Sequence, residues 1–386
     1  MAQVKPDIET FAKIKVIGAG GAGGNAVTRM VEAKIHGVDF VAVNADAQQL
    51  HHCKAPQKLL IGKNLTRGLG AGMNPDIGRQ AAEENKDEIQ DLIKGADLVF
   101  VTCGMGGGVG TGSSAVVAEA AKDAGVLTVG VVTKPFTFEG FQRMRIAEGG
   151  LEQLKSRVDT LITIPNDKIL QLIERNTPLL EAFRTVDDVL RQAVQGISDM
   201  IVTPGVVNVD FADVRAIMQD AGSALMGVGR ASGDDRAVEA ARAAINSPLL
   251  EVAIDGAKGV LFNISGGPDL TMIEINEAAK IITESIDPDA KVIFGAVTDE
   301  KMKKGEIKVT VIATGFGEKV ARKERAIDLD KDEENARPKP IEAKKNNNNS
   351  SPTSPVSPKK PNFEVSQIEE SGQEWDIPAF IRRKMK

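Results

Sequence analysis

The segment IKVIGAGGAGGN (Ile14–Asn25) decides the fold of the first half of the chain. It is a short apolar run that leads directly into a glycine-rich turn and then into a helical pattern. Such runs are typical of buried strands in parallel sheets. Small residues in the turn allow backbone N–H groups to approach a phosphate at the start of the helix, where the helix dipole also favours an anion. The segment therefore predicts a strand, a turn and a helix that can hold phosphate.

The same alternation continues as far as Pro165. Further short runs rich in valine and isoleucine are separated by helical patterns; they are FVAVN (Phe40–Asn44), DLVFVTCG (Asp97–Gly104), LTVGVVT (Leu127–Thr133) and TLITIP (Thr160–Pro165). Buried runs separated by amphipathic helices describe a parallel sheet that is covered on both faces. We predict a doubly wound α/β domain over residues 13–178, preceded by a flexible segment over 1–12.

A long helical pattern without an internal proline covers residues 179–203 and ends before Pro204 and Gly205, a helix stop signal. At 1.5 Å per residue such a helix would run about 36 Å, the width of a domain, so it suits a rigid connection. Fewer helices separate the apolar runs that follow. This spacing predicts a smaller α+β domain over residues 204–317.

Composition excludes several classes of protein. The chain has 386 residues, a formal net charge of -6 and 42% apolar residues, and one core seldom grows beyond about 250 to 300 residues, so two domains and extra segments are expected. The 48 basic residues are spread among 54 acidic ones, which argues against nucleic acid as a partner. Two cysteines, a polar N-terminus and the lack of a long apolar run favour the cytoplasm.

The character of the chain changes after Gly317. Residues 318–372 are crowded with charges and contain KKNNNNSSPTSPVSPKKP, which cannot bury enough apolar area to offset the entropy of ordering, so we predict a disordered linker. The terminal segment 373–386 has the form of a docking peptide. Its candidate contact residues are a possible N-cap, a first-turn proline and apolar residues at helical spacing, namely Asp376, Ile377, Pro378, Phe380 and Ile381. The alternative is a frayed terminus.

A second glycine-rich loop, CGMGGGVGTG (Cys103–Gly112), also follows a strand and opens a helix. Two such turns on one parallel sheet can wrap several phosphates, and GLGAG (Gly68–Gly72) supplies a third loop. The P-loop sequence is absent, because Gly62–Lys63 is followed by Asn64. The first loop alone would also suit a nicotinamide dinucleotide, with Asp46 on the ribose, or a tight turn with no ligand.

Five motifs in order resemble the FtsZ branch of the tubulin/FtsZ family over nearly the whole chain. They are IKVIGAGGAGGNAV, GLGAGMNP, TIPND (Thr163–Asp167), NVDFAD (Asn208–Asp213) and DIPAF (Asp376–Phe380). GGGVGTG also looks like the family's glycine signature, which usually has threonine where this chain has Val109. That departure removes a hydroxyl and leaves the backbone donors. The resemblance implies a GTP-binding α/β domain, a long central helix and a smaller α+β domain.

The resemblance also implies which residues bind GTP. Gly21, Ala22, Gly23, Gly24 and Asn25 would contact phosphate or base, Ala71 and Gly72 would flank the γ-phosphate, and Gly108, Val109, Gly110 and Thr111 would contact the phosphates. Glu139 and Arg143 resemble the family's sugar and phosphate contacts, with a surface ion pair as the alternative, and Asn166 resembles a further polar contact.

Guanine presents two adjacent N–H donors that one carboxylate can accept together, so an acid is expected at the base. The chain offers Asp187 and Asp188. Phe183 and Asp187 are four residues apart on one helix, which places a ring and a carboxylate on the same face and favours Asp187.

Asp210 and Asp213 are three residues apart, so both carboxylates lie on one face of a starting helix. On the pattern alone they would cap that helix. The resemblance implies instead that they act as catalytic residues on GTP bound to the next subunit, polarising the attacking water, with Asn208 positioning the loop. Mg²⁺ would offset the phosphate charge. A site shared between subunits requires head-to-tail filaments.

No metal ligands are assigned to the protein itself. His51, His52 and Cys53 are adjacent, so their side chains point apart, and a fourth ligand is missing. The sequence therefore predicts a polymerising GTPase of bacterial cell division, located in the cytoplasm at mid-cell beneath the membrane. Its terminal peptide would bind a membrane-tethering adaptor and division regulators, so it would reach the membrane only indirectly. The alternatives are an NAD-dependent oxidoreductase and a structural GTP binder with little hydrolysis.

Overall fold

In a computed structural model of the chain, the described residues are 12–171, 173–174, 176–203, 205, 207, 209–250, 254–298 and 302–316. The predictions for residues 1–11, for the linker 318–372 and for the terminal peptide 373–386 lie outside this part of the chain. The prediction for Asn208 also lies outside it.

The described strands all belong to one sheet. They are β1 (Ile14–Ala19), β2 (Val38–Asn44), β3 (Gln57–Leu60), β4 (Leu98–Gly104), β5 (Leu127–Lys134), β6 (Thr160–Pro165), β7 (Gly222–Ser232), β8 (Gly259–Gly266), β9 (Lys291–Thr298) and β10 (Glu306–Thr314). Their order across the sheet is β3-β2-β1-β4-β5-β6-β7-β10-β8-β9.

The described α-helices lie between these strands. They are α1 (Gly20–Glu32), α2 (Ala47–His52), α3 (Lys63–Thr66), α4 (Pro75–Glu84), α5 (Lys86–Ile93), α6 (Gly108–Asp123), α7 (Phe141–Lys155), α8 (Asn166–Ile169), α9 (Leu179–Val202), α10 (Phe211–Met218), α11 (Arg236–Ile245) and α12 (Met272–Glu284). Short 3-10 turns cover Thr137–Glu139 and Ile254–Gly256.

The strand order reverses between β1 and β4. β1 pairs in parallel with β2 on one side and with β4 on the other, and β4, β5 and β6 follow in parallel. The chain therefore winds outward in two directions from the β1–β4 pair, as predicted for a doubly wound sheet. Loops that leave neighbouring strands toward opposite faces open a crevice at the carboxyl ends of those strands.

Helices cover both faces of this sheet, as predicted. On one face, α1, α9 and α10 bury side chains such as Met30, Leu190 and Met218 against the strands. On the other face, α4, α5, α6 and α7 bury side chains such as Ile89 and Leu154. Because both faces are buried, the strands read as continuous apolar runs rather than as alternating patterns.

The remaining strands form the smaller α+β part. β10 is antiparallel to β7 and to β8, β8 is parallel to β9, and α11 and α12 cover a third apolar cluster. The sequence did not predict that this part would continue the first sheet. It does so through a short parallel contact of β6 with β7, from Thr160 opposite Gly222 to Ile162 opposite Ala224.

Local differences from the predicted elements have physical causes. One of the helical patterns that separate the apolar runs FVAVN and DLVFVTCG extends from Pro75 to Ile93, and it is interrupted at Asn85, whose backbone leaves the helical region. Its side chain accepts a hydrogen bond from Gly62 N–H at 2.9 Å, which competes with a continuous helix. The edge strand β3 was not predicted, because its sequence QKLL shows no alternation. Among the described residues, no helix is long and apolar enough to cross a membrane.

Close packing of α4 on α6 yields a test of the fold. A Cβ on Gly112 would lie 2.1 Å from the Pro75 carbonyl oxygen and 2.5 Å from Arg79 N, so both clashes are with backbone. We expect Gly112→Ala to lower the free energy of unfolding by about 2 kcal/mol in urea titrations.

Gly149→Ala is the matched control, because Gly149 is a helical glycine with no atom within 4 Å of an added Cβ. It should raise the free energy of unfolding by about 0.5–1 kcal/mol. Equal effects at the two positions would contradict the described packing of α4 on α6.

Candidate functional site

A cleft of about 460 Å³ lies at the carboxyl ends of β1 and β4. It is lined by Ala19, Gly21, Ala22, Asn25, Asn44, Asp46, Gln49, Leu69, Gly70, Ala71, Gly72, Gly104, Met105, Gly107, Gly108, Val109, Gly110, Thr133, Pro135, Glu139, Arg143, Asn166, Phe183, Val186, Asp187 and Leu190. All three glycine-rich loops contribute to this lining. The cleft is thus located where the strand order reverses, which is where ligands bind in sheets of this type.

Two helices begin at the cleft without side-chain caps. Neither α1 nor α6 has a side-chain hydrogen bond at its N-cap or an acidic residue in its first turn. By contrast, α2, α4 and α12 are capped by the side chains of Asp46, Asn74 and Thr271. The first N–H groups of α1 and α6 have no partner within their own helices, and the helix dipoles make this end of the cleft positive. The arrangement suits an anion with several oxygen atoms.

Glycine is required where the first two loops touch. Gly20 has a φ of 70°, and an added Cβ would lie 2.7 Å from Gly110 N. At Gly108 a Cβ would lie 2.9 Å from the Ala71 Cβ and 2.9 Å from Asn74 N, in the third loop. Side chains at these positions would push the loops apart. The three loops therefore form one packed unit.

Val109 occupies the position where the glycine signature usually has threonine. Its side chain is 8% exposed and belongs to the apolar cluster beneath the cleft. Its carbonyl oxygen accepts a hydrogen bond from the Ser113 hydroxyl at 2.6 Å. The substitution therefore exchanges a hydroxyl for apolar packing and keeps the helical backbone of the first turn.

Glu139 and Arg143 form an ion pair at one side of the cleft. The Arg143 Nη1 lies 3.0 Å from the Glu139 Oε2, while the other carboxylate oxygen accepts a hydrogen bond from Phe136 N–H at 2.8 Å. The Arg143 Nε is buried and has no hydrogen-bond partner in the described structure. Among the residues that line the cleft, Arg143 is the single cationic side chain.

The start of α9 forms the opposite wall. Phe183 is 39% exposed, and its ring meets that of Phe136 edge-on at a centroid distance of 5.6 Å. Asp187 lies one turn further along α9, as its spacing predicted. Burial raises the pKa of the Asp187 carboxyl to about 6, opposed by the nearby Arg29 and assisted by the charge of Asp188. Asn166 adds a buried Oδ1 that has no hydrogen-bond partner within the described structure.

Four residues of the predicted nucleotide site are not among the residues that line the cleft. Gly23 packs α1 on β4, where a Cβ would lie 2.5 Å from the Thr102 carbonyl oxygen. Gly24 lines a small adjoining space instead. The Thr111 hydroxyl accepts a hydrogen bond from Gly106 N–H at 2.9 Å, inside the second loop. The Asp188 carboxylate accepts hydrogen bonds from Arg191 and Gln192 on α9.

Asp210 and Asp213 are not among the residues that line the cleft of their own chain. Both are exposed at the start of α10, with Asp210 at the N-cap. Because α9 begins beside the cleft and its last residue packs on Gly37, just before β2, this helix ends at the amino edge of the sheet. The end of α10 is also at that edge, where the Met218 carbonyl oxygen accepts a hydrogen bond from Thr160, the first residue of β6.

The length of the strands sets the scale of this separation. β5 has 8 residues, and a strand of this length spans about 26 Å. The helices on both sides of the predicted acids therefore end at the edge of the sheet opposite to the cleft.

Sequence reasoning missed several polar residues of the cleft. Asn44, Gln49 and Thr133 line it, and the Asn44 amide donates to the Gln49 Oε1 at 3.3 Å. Asn44 and Thr133 are the last residues of the apolar runs FVAVN and LTVGVVT, so their positions at the carboxyl ends of β2 and β5 were a usable signal. Gln49 gave no such signal, because α2 is a short helix without periodicity.

His51, His52 and Cys53 do not converge. The two imidazole rings meet edge-on at 5.7 Å, and the Cys53 thiol donates to the Gly24 carbonyl oxygen. Within the described part of the chain, no three histidine, cysteine or carboxylate side chains are grouped as a metal site.

Comparison with known proteins places these features in a family. The model of the Tubulin/FtsZ family GTPase domain matches residues 13–174, and that of the FtsZ family C-terminal domain matches residues 222–317. A solved empty dimer of FtsZ from M. jannaschii is 50% identical over 80% of this chain and 89% of that chain, with a TM-score of 0.77. This chain belongs to the tubulin/FtsZ family.

Two solved structures of lower identity are similar to this chain in fold alone. A GTPγS-bound protofilament of CetZ2 from Haloferax volcanii is 23% identical, with a TM-score of 0.69 over 83% of this chain and 99% of that chain. CetZ1 from the same organism, a GDP-bound monomer, is 24% identical with a TM-score of 0.68, over 79% of this chain and 94% of that chain.

Membership in the tubulin/FtsZ family makes the chain a GTPase, with the GTPase domain formed by the doubly wound sheet. The predicted resemblance is thus confirmed, and the alternative of an NAD-dependent oxidoreductase is wrong. The cleft at the β1–β4 reversal is the candidate nucleotide site of that domain.

The raised pKa of Asp187 predicts a pH dependence of stability. A carboxyl whose pKa is higher in the folded state than in the unfolded state favours folding below the unfolded pKa of 3.8, and that contribution is lost as the pH rises through about 6. We expect Asp187→Asn to stabilise the nucleotide-free protein by about 2 kcal/mol at pH 8 and to have little effect below pH 4.

Asp188→Asn is the matched control for this measurement. Burial pushes the pKa of Asp188 upward, but hydrogen bonds from Arg191 and Gln192 outweigh it and hold the pKa below the usual value. Asp188→Asn should therefore destabilise the protein at neutral pH, with an effect that fades as the pH falls toward 3. Urea titrations from pH 3 to 8 measure both, and the same sign of the stability change at pH 8 for the two variants would contradict the assignment.

Proposed function

We propose that this chain is a GTP-dependent polymerising protein of the cell-division ring, and that it hydrolyses GTP at a site shared between successive subunits. The observation that carries the proposal is the separation of Asp210 and Asp213 from the cleft of their own chain. The motifs resemble bacterial proteins, while the solved FtsZ structure of 50% identity is archaeal. The proposal therefore applies to a division ring in bacteria or in archaea.

Opposite placement favours head-to-tail assembly. The cleft opens at the carboxyl edge of the sheet and the acids are exposed at the amino edge, so stacking one subunit on the next would bring the acids of one to the nucleotide of the other. The two surfaces differ, so the contact is heterologous and extends as a filament unless it closes into a ring.

The rim of the cleft supports such a contact. Large apolar side chains are exposed on the elements around it; they are Leu69, Phe138, Phe141, Leu179 and Leu180. Among these, Leu69 is 85% exposed and Phe141 is 71% exposed. A cluster of exposed apolar residues around a binding site is a feature of interaction surfaces. A subunit seated on this rim would bury them and exclude water from the phosphates.

The cleft suggests how GTP would be oriented. The uncapped starts of α1 and α6 would receive the phosphates through backbone N–H groups. Ionised Asp187 would accept both N–H donors of guanine, with the Phe183 ring against the base. Glu139 and Arg143 would contact the sugar and the phosphates, and the unpartnered Asn166 Oδ1 would accept a further donor.

Charge in the cleft fits a requirement for Mg²⁺. Arg143 is the single cation among the lining residues, so these side chains offset little of the charge of a triphosphate. Bound to the phosphates, Mg²⁺ would supply the remaining charge neutralisation. The carboxylates of Asp210 and Asp213 from the next subunit would orient a water molecule and accept its proton as it attacks the γ-phosphate.

The terminal peptide would connect filaments to other proteins. We propose that Asp376, Ile377, Pro378, Phe380 and Ile381 bind a membrane-tethering adaptor and division regulators. This would place the filaments in the cytoplasm at mid-cell. The helical apolar spacing of the peptide supports a groove-binding mode.

Mixing two inactive variants tests the shared site. Asp213→Ala removes an acid and leaves the cleft intact. Ala22→Glu puts a carboxylate into the first turn of α1, where Ala22 is exposed and lines the cleft, so it should repel phosphate. Each variant alone should hydrolyse GTP at least about 100-fold more slowly than the wild type. An equimolar mixture should recover roughly a quarter of wild-type activity, because a quarter of random contacts pair an intact cleft with intact acids.

Controls separate the possible outcomes. Wild-type activity per chain should rise above a threshold concentration together with sedimentation, and Asp213→Ala should still bind GTP. A mixture no more active than its components, beside assembling wild type, would contradict the shared site. Filaments that form but never turn over GTP would indicate a structural GTP binder instead.

Trp375 is the single tryptophan of the chain and lies next to Asp376, so its fluorescence reports on the terminal peptide. Adding a soluble adaptor domain should shift its emission to shorter wavelength as the indole leaves water. Phe380→Ala should weaken that binding at least about tenfold, because an anchoring aromatic is lost. Equal binding by a chain that ends at residue 372 would contradict the role of the peptide.

A further inference from the structure

The turn between β5 and α7 brings two proposed nucleotide contacts to the cleft. Phe136 anchors the start of this turn, since it is 1% exposed and stacks on Phe138 at 4.9 Å. The 3-10 turn Thr137–Glu139 follows and positions Glu139, whose ion pair holds Arg143 on the first turn of α7. The placement of both side chains therefore depends on how this turn is held.

Hydrogen bonds within the turn are local. Glu139 N–H donates to the Phe136 carbonyl oxygen at 3.0 Å, and Gly140 N–H donates to the Thr137 carbonyl oxygen at 3.2 Å. The turn itself is exposed at Thr137 and Gly140. Local bonds fix its internal shape but do not fix its position relative to the sheet.

Asp167 supplies a link from outside the turn. One carboxylate oxygen accepts the Thr137 N–H at 3.0 Å, and the other accepts the Thr137 hydroxyl at 2.5 Å. Hydrogen bonds to an ionised group are stronger than those between neutral groups, and two from one carboxylate also fix orientation.

The segment that carries Asp167 is attached directly to the sheet. It belongs to α8, directly after β6, and Pro165 at the end of β6 lies opposite Lys134 at the end of β5. The neighbouring Asn166 and the following Ile169 are both buried. Through its two hydrogen bonds to Thr137, Asp167 therefore fixes the position of the turn relative to the sheet.

We propose that Asp167 is a positioning residue for nucleotide binding, which clamps the turn through Thr137 so that Glu139 is held against the ribose. The inference rests on the proposed function, since it assumes that guanosine phosphates occupy the cleft. Both Glu139 oxygens already have one partner, and a carboxylate oxygen can accept a second hydrogen bond, so each can accept one from a ribose hydroxyl.

Loss of the clamp would affect the contacts of Glu139 and Arg143. The guanine contact would come from Asp187 on α9 and the backbone phosphate contacts from α1 and α6, none of which depends on the turn. A weaker phosphate contact of Arg143 would affect ligands with and without ribose hydroxyls alike. Recognition of the ribose hydroxyls should therefore weaken, while the preference for guanine over other bases stays unchanged.

GDP and 2′,3′-dideoxy-GDP are suitable probes, because they differ in the ribose hydroxyls alone. Their dissociation constants would be measured by calorimetry on the full chain, below the concentration at which it assembles. The variants are Asp167→Ala, Asp167→Asn, Thr137→Val, Glu139→Ala and the double variant Asp167→Ala with Glu139→Ala. Asp97→Ala is the matched control, because Asp97 also accepts a backbone N–H, that of Lys13 at 2.8 Å, at the other edge of the sheet.

For the wild type and for Asp97→Ala, GDP should bind about tenfold more tightly than the dideoxy analogue. In Asp167→Ala the ratio of the two dissociation constants should fall toward one. The preference for GDP over inosine and adenosine diphosphates should stay as in the wild type. Thr137→Val and Asp167→Asn should retain part of the preference for GDP over the dideoxy analogue, since each keeps one of the two hydrogen bonds. In the Glu139→Ala background, adding Asp167→Ala should change the preference little, because the effect acts through Glu139.

The failure of this inference is distinguishable from failure of the proposed function. Wild-type protein that does not bind GDP would overturn both. Wild-type protein that binds GDP but does not prefer it to the dideoxy analogue would overturn the inference alone. The same holds if folded Asp167→Ala keeps the wild-type preference, or if Asp97→Ala loses it equally. If Asp167→Ala does not fold, Thr137→Val decides: an unchanged preference in that variant overturns the inference.

Discussion

The N–H groups at the starts of α1 and α6 are the constraint around which the nucleotide domain is built. Both helices begin at the reversal of strand order, and neither start carries a capping side chain or an acid in its first turn. Backbone donors without partners are costly when water is excluded, so this end of the cleft is organised for an anion. Close approach of the two loops in turn requires glycine at Gly20, where a Cβ would strike Gly110.

A second constraint follows from the direction of the strands. In a parallel sheet all carboxyl ends lie at one edge, so every loop of the cleft leaves from that edge. The acids at the start of α10 lie between two helices that end at the other edge. If these acids act on bound GTP as proposed, they act across a contact between two chains, so hydrolysis would depend on assembly.

The sequence predicted those structural elements that depend on residue type and spacing within a short segment. The glycine loops, the buried runs from Ile14 to Pro165 and the helix Leu179–Val202 follow from residue type and spacing. The continuation of the sheet from β6 into β7 could not be predicted, because three paired residues leave no pattern. The same applies to Gln49, which reaches the cleft through folding of a short helix. The break at Asn85 could not be predicted either, because it depends on a hydrogen bond from the distant Gly62 N–H that interrupts a helical pattern.

Helix α9 connects the cleft to the opposite edge of the sheet. Its first turns supply Phe183 and Asp187 to the cleft, while its last residue packs on Gly37 at the opposite edge of the sheet. The helix has 24 residues without a break, which spans about 36 Å, and a continuous helix resists bending over that distance. Its buried face runs along the sheet from Val186 to Met200. The separation between Asp187 and the segment that leads to Asp210 is therefore fixed by one rigid element. In the proposed filament the same element would set this distance in every copy, so successive subunits would present their acids to neighbouring clefts at a constant spacing.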